Sequence, residues 1–342
     1  MTCRPLTLAA LIGLAQIVSP AEAQDIPGYD RFDISAAHRS MPLAASVWYP
    51  AGRATYRNVI GDSAIFEGSP AYIGAAIAPG PYPVIVLSHG SGGNMDAISW
   101  LSSRLALEGA IVLAVNHPGS TSGDSSPRRS VQLTQRAADL SAALDTLLND
   151  PHFGPFIDPG RIASVGFSLG GSTVLKLGGA AFERDSYKTY CETQPETDAG
   201  CLFLAKGGVD LGKLPDTWEQ SIRDPRITAT IAIDPGWTHA VTAASAGAMD
   251  QPTLFLNLGA PEPWQAADVT PNGSDLMNKM PDVTYHAISP ANHFTFLAVC
   301  KPNGAAFLEE QEDDPICTDP QNTDRNAVHD EIIAQISAFL KL

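Results

Sequence analysis

Two short runs, "PVIVLSH" (83–89) and "AIVLAVNH" (110–117), are apolar almost without interruption. A strand with one face in water alternates polar and apolar residues. A strand without alternation is buried on both faces and belongs in a parallel sheet. Such a sheet needs a helix layer on each side, and the chain supplies the helices. Residues 95–108 read as a helix between the two strands. Residues 132–148 space Leu133, Ala137, Leu140, Leu144 and Leu148 three or four apart, along one helix face. Strand-like runs follow at "RIASVGF", "RITATIAID" and "PTLFLNLG", then the alternating "VTYHAIS". "LAASVWYP" (43–50) alternates like an antiparallel edge strand, and "VHDEIIAQISAFL" (328–340) reads as a closing amphipathic helix whose His329 faces solvent. The order predicts an α/β fold, a mostly parallel central sheet flanked by helices. At 342 residues, 44% hydrophobic and without internal repeats, the chain is ample for one large core.

The formal net charge of −16 comes with no basic stripe, so a nucleic-acid partner is not expected. Residues 1–23 read as a secretory signal: Arg4, an apolar stretch from Leu6 to Val18, and Ala21 and Ala23 before a cut ahead of Gln24. The apolar stretch is too short to span a membrane, and no later segment reaches spanning length. Residues 24–342 are then the mature domain, periplasmic or secreted. Export makes the cysteines informative. Beyond Cys3 the chain has Cys191, Cys201, Cys300 and Cys317, an even set that predicts disulfides. Three pairings are possible. Each near pair encloses a short polar segment, which favours Cys191–Cys201 and Cys300–Cys317. No CxxC pair suggests a metal, and none is expected.

Residues 181–225 break the strand–helix rhythm. They are polar and turn-rich and carry one cysteine pair. They read as a disulfide-stapled insertion, either a cap over the carboxyl edge of the sheet or a surface excursion.

The chemistry centres on "RIASVGFSLGG" (161–171). A strand, then Gly166-Phe167-Ser168-Leu169-Gly170, then a helical run is the context of a nucleophile elbow. The turn lifts a strained serine above the sheet, and glycines let strand and helix approach. The helix N-terminus behind the serine favours developing negative charge. The serine needs a base, and eight histidines compete. His293, in "SPANHFTFL", follows the last strand and precedes an apolar run, at the same sheet end as Ser168 and in the chain order that the elbow fold uses. Glycine-rich "VLSHGSGGN" (86–94) can turn backbone amides toward an oxyanion, and the amides of Ser91 and Leu169 are the candidates.

These stretches, with "HPGSTSGD", "DPRITATIAIDPG" and "ANHFTFL", resemble the α/β-hydrolases. They are most similar to the group of predicted dienelactone-hydrolase-like proteins and platelet-activating-factor acetylhydrolases, over about residues 40–342. The resemblance implies an α/β-hydrolase fold with a cap-like insertion, and a serine esterase with no metal or organic cofactor. It also offers two positions for the acid that orients the histidine. In most α/β-hydrolases the acid follows the strand after next, here Glu262. In platelet-activating-factor acetylhydrolases it follows the next strand, here Asp234. Asp234 ends a strongly apolar strand and is favoured. Dienelactone hydrolases proper use cysteine, whereas position 168 is serine.

The expected reaction is hydrolysis of a small or lipid-like carboxylic ester through an acyl-enzyme. Phospholipid acyl hydrolase, polyester hydrolase and amidase are rival readings. A non-catalytic binding protein on the same fold is the rival of another class. Trp237 and Phe294, with Trp264 and Phe296, flank the predicted site and are either an acyl pocket or core aromatics. The sequence is silent on oligomeric state.

Overall fold

The structure is a computed structural model and describes residues 24–194, 198–259 and 263–342. The predicted signal segment and Glu262 lie outside the described residues.

The strands of the central sheet are β1 (Gly28–Ile34), β2 (Leu43–Tyr49), β3 (Tyr56–Ile60), β4 (Ser69–Ile73), β5 (Tyr82–Ser88) and β6 (Ile111–Val115). A short ribbon, β7 (Ser120–Thr121) and β8 (Asp124–Ser125), stands apart, and the sheet resumes with β9 (Ile157–Phe167), β10 (Ala229–Ile233), β11 (Thr253–Leu258) and β12 (Val283–Ile288). Spatial order is β12-β11-β10-β9-β5-β6-β2-β1-β4-β3. The six strands from β12 to β6 run parallel. β2 is antiparallel to both its neighbours.

The uninterrupted apolar runs became β5 and β6, in the middle of the sheet and buried on both faces. β2 corrects the expectation of an edge strand. It is antiparallel but interior, and all but one of its residues are buried, because its polar-looking positions are small Ala and Ser.

Nine helices occur among the described residues: α1 (Ser99–Leu107), α2 (Pro127–Ser130), α3 (Leu133–Asn149), α4 (Leu169–Leu177), α5 (Arg184–Thr193), α6 (Ala199–Lys206), α7 (Ala243–Gly247), α8 (Gly304–Glu310) and α9 (Arg325–Leu340). Two apolar cores result, one on each sheet face. Leu133, Ala137, Leu140 and Leu144 of α3 and Val174 and Leu175 of α4 fill one. Trp100, Leu101 and Leu105 of α1 and Ile332, Ile333 and Ile336 of α9 fill the other. Each large side chain so buried contributes about 1.5–3 kcal/mol relative to exposure.

The insertion is less polar than its composition suggests. It forms α5 and α6 and buries Tyr187, Leu204 and Trp218 in the α3–α4 core. Cys191 is bonded to Cys201, linking the two helices, and Cys300 is bonded to Cys317. Among the described residues no helix is long and apolar enough to cross a membrane.

His329 does not face solvent. It is buried on α9, stacked on Trp100 of α1 with ring centroids 3.7 Å apart, and its Nε2 donates to the carbonyls of Thr295 and Leu297. The α9 register turns it inward because the aromatic of α1 covers its ring. Burial pushes its pKa down to about 4, with Arg325 adding to the effect. The unfolded chain therefore takes up this proton first as pH falls. Stability is full above about pH 6.5 and is lost toward pH 4, by an amount on the order of 3 kcal/mol. Urea unfolding between pH 7 and 4.5 should show this decline. His329→Gln keeps a donor but cannot titrate, so its decline should be shallower. An identical pH slope in the variant would refute the assignment.

Candidate active site

The parallel strands change direction of progression between β5 and β9. β6 lies to one side of β5, and the chain then returns to place β9 on the other. The chain leaves the carboxyl ends of these two strands toward opposite faces of the sheet, which is the position of the ligand crevice in open α/β sheets. Ser168 sits there, between the end of β9 and the start of α4.

Its backbone is at φ 56° and ψ −119°, a conformation that side chains other than glycine rarely adopt. The Ser168 amide donates to the Ile233 carbonyl at 2.9 Å, and its carbonyl accepts from Gly236 and Ser172, so the strain is held from both sides. Glycines are required by close approach. A Cβ on Gly166 would overlap the Gly170 carbonyl, and one on Gly170 would overlap the Ser88 carbonyl of β5.

His293 comes from the turn after β12. Asn292 caps that turn, accepting from the amides of Phe294 and Thr295, while Thr295 Oγ1 accepts from the Asn292 amide. The ring is buried and stacks on Phe167 at 4.6 Å. Its Nδ1 is 3.0 Å from Asp234 Oδ2 and its Nε2 is 3.1 Å from Ser168 Oγ. A carboxylate only accepts, so Nδ1–H donates to Asp234 and Nε2 is left to accept from the serine hydroxyl.

Asp234 directly follows β10 at φ 41° and is fully buried. Its Oδ1 accepts from Asn257 Nδ2 at 2.9 Å and from the Leu258 amide at 2.8 Å. Asn257 was not singled out from the sequence. A lone asparagine in a strand carries no signal until its neighbour strand is known. It also donates to the Ala267 carbonyl, which ties the loop after β11 to the acid.

Leu169 is the first residue of α4, so its amide has no partner within the helix. Gly90 lies against the serine: a Cβ there would stand 3.3 Å from Ser168 Cβ. His89 Nδ1 is 2.7 Å from the Gly90 carbonyl and donates to it. That carbonyl belongs to the same planar peptide as the Ser91 amide, so fixing one fixes the other. His89 is held well below its usual pKa, first by burial and then by Arg136.

The four aromatics separate into two pairs. Trp237 is buried against Trp218 at 5.0 Å and Tyr187 at 6.4 Å, and Phe296 is buried against Phe167 at 3.9 Å. Of the two readings left open by the sequence, the burial of these two, Trp237 included, favours core residues. Trp264 and Phe294 are half-buried, with ring centroids 4.4 Å and 5.5 Å from that of His293. Insertion and site meet nearby, where Gln265 donates to Gln194 at 3.1 Å.

Residues 85–319 match the model of the alpha/beta hydrolase family. The chain belongs to that family. Among curated relatives, this hydrolase is 36% identical to cutinase est1 of Thermobifida alba, over 28% of this chain and 30% of that protein. It is 32% identical to a platelet-activating factor acetylhydrolase of Bos taurus, over 28% of this chain and 31% of that protein. It therefore spans only about a third of the length of these relatives. Among solved structures, a ferulic acid esterase from Streptomyces cinnamoneus superposes with a TM-score of 0.60 at 18% identity, covering 95% of this chain and 91% of that one. At that identity the match speaks for the fold.

Asn257→Leu should cost about 1–3 kcal/mol of stability, because it removes a donor from Asp234 and strands the Ala267 carbonyl. Chemical denaturation reads the change, and an unaltered midpoint would show that Asp234 does not depend on this contact.

Proposed function

We propose that this alpha/beta hydrolase cleaves carboxylic esters through an acyl-enzyme on Ser168. The observation that carries the reading is the unbroken relay from Ser168 Oγ through His293 to Asp234, starting at a strained elbow. Ser168 Oγ attacks the ester carbonyl while His293 Nε2 takes its proton. The new Oγ–C bond leaves negative charge on the former carbonyl oxygen, and the amides of Ser91 and Leu169 stabilise it. Each such donor is worth about 2.7–4 kcal/mol. Collapse expels the alcohol, which takes the proton from His293. Water, deprotonated by His293, then attacks the acyl carbon; the Oγ–C bond breaks, His293 returns the proton to Ser168 Oγ, and the acid is released. Asp234 holds the histidine tautomer and stabilises the imidazolium.

The substrate is a small or lipid-like ester. Half-exposed Trp264 and Phe294 give it an apolar surface beside His293. A polyester or a phospholipid acyl group is the narrower alternative, and relatives named cutinase and platelet-activating factor acetylhydrolase favour testing both. The insertion acts as a cap, a role supported by its contact with the Trp264 loop through Gln194 and Gln265. Two disulfides support a periplasmic or secreted location, in keeping with the leader-like segment 1–23.

A panel of chromogenic esters graded in acyl length tests the reading. Short-chain esters should be hydrolysed, and a fluorophosphonate should label Ser168 once and not label Ser168→Ala. Activity that survives in Ser168→Ala would overturn the proposal. Asp234→Asn should fold yet lose about 10⁴ in kcat, the cost of presenting the wrong histidine tautomer. Near-normal turnover in that variant, with Glu262→Gln nearly inactive, would move the acid to position 262.

A further inference from the structure

Behind the crevice lies a buried ionic cluster that the triad does not use. Arg136 and Asp139 sit on the buried face of α3, where the periodicity calls for apolar residues. Asp139 is saturated. It accepts from His38 Nε2 at 2.7 Å, from Arg39 Nε and Nη2 at 2.8 and 2.7 Å, and from His117 Nδ1 at 2.9 Å. Burial alone would raise its pKa, but these donors hold it below the usual carboxylate range.

Among the described residues no carboxylate touches Arg136. Its guanidinium donates to four neutral oxygens: Thr173 Oγ1 at 2.8 Å, Ser88 Oγ at 3.1 Å, the His89 carbonyl and Ser120 Oγ. Burial pulls its pKa down to about 9, while the Asp139 charge opposes the shift. Burying such a charge is expensive, and apolar packing would fill the same volume at lower cost.

Three of the four acceptors lead to the residues around the two amides. His89 precedes Gly90 and Ser91. Ser120 accepts, through its carbonyl, from the Gly92 amide at 2.9 Å. Thr173 donates its own hydroxyl to the Leu169 carbonyl at 2.8 Å. One guanidinium thus reaches both flanks of Ser91 and, through Thr173, the residue that carries the second amide. We infer that Arg136 is a positioning residue that sets the spacing and direction of the Ser91 and Leu169 amides for the oxyanion. This rests on the ester-hydrolase reading. The planar fork matters: lysine offers three donors from one point and cannot span four acceptors on three segments.

The test compares wild type with Arg136→Lys and Thr173→Val, on a short-chain aryl ester and its thionoester counterpart, with circular dichroism and Tm as folding checks. Sulfur is the poorer acceptor, so a well-aligned pair of amides favours the oxygen ester. Arg136→Lys should lower kcat on the ester by about 10- to 100-fold with little change in KM, since misplaced donors act on the transition state. Thr173→Val should lower it by about fivefold or more, as it cuts the link from the guanidinium to Leu169. In both, the ratio of ester to thionoester turnover should fall, which a general loss of folded protein would not produce. Thr173→Val keeps volume and removes no charge, so it decides the matter if Arg136→Lys does not fold. Folded variants with unchanged kcat, or with equal losses on both substrates, would overturn this inference alone. A wild type inert to both esters would overturn the hydrolase reading and this inference together.

Discussion

No side chain fits between the nucleophile turn and the end of the neighbouring strand. Gly170 faces the Ser88 carbonyl so closely that a methyl group there would displace β5 from β9, and Gly166 faces Gly170 in the same way. This contact sets the crevice. It lets the turn hold Ser168 at positive φ, and it brings the loop after β5 within van der Waals reach of the serine. The strain at Ser168 is held by tertiary hydrogen bonds, from its amide to Ile233 and from Gly236 to its carbonyl. Sheet pairing therefore maintains a conformation that the local sequence disfavours.

Much of this was legible in the sequence, for identifiable reasons. Strands buried on both faces lose their alternation, so β5 and β6 announce a parallel sheet. The elbow needs its glycines at fixed offsets, so Ser168 is visible. His293 follows from chain order. Hidden were the features that depend on which segments become neighbours. Asn257 touches Asp234 across adjacent strands. His329 is buried because α1 supplies Trp100 to cover it. Arg136 and Asp139 interrupt an apolar stripe, and a periodicity analysis passes over them as surface charges. The insertion looked polar because its buried residues are few, although Tyr187 and Trp218 are large.

The polar groups form two sets with different logic. The relay from Ser168 through His293 to Asp234 is short, linear and closed by Asn257 and the Leu258 amide at one end. The cluster around Arg136 and Asp139 is branched, and burial holds His89 and His117 neutral, His117 with its pKa down to about 4. Neutral His117 donates from Nδ1 to Asp139 and accepts at Nε2 from Ser88, so its tautomer is fixed by its neighbours. Each set keeps its donors and acceptors paired, which is what allows this much polarity beneath the sheet's carboxyl edge.

The three residues of the proposed triad are also far apart along the chain. Ser168 and His293 are separated by 125 residues, and Asp234 and His293 by 59. The base arrives last, on the turn after the edge strand β12. On the proposed mechanism, a chain that has folded only as far as β10 presents a nucleophile and an acid with nothing between them to move a proton. Reactivity would thereby be a property of the finished sheet, and a growing or unfolded chain would stay chemically silent while it is built.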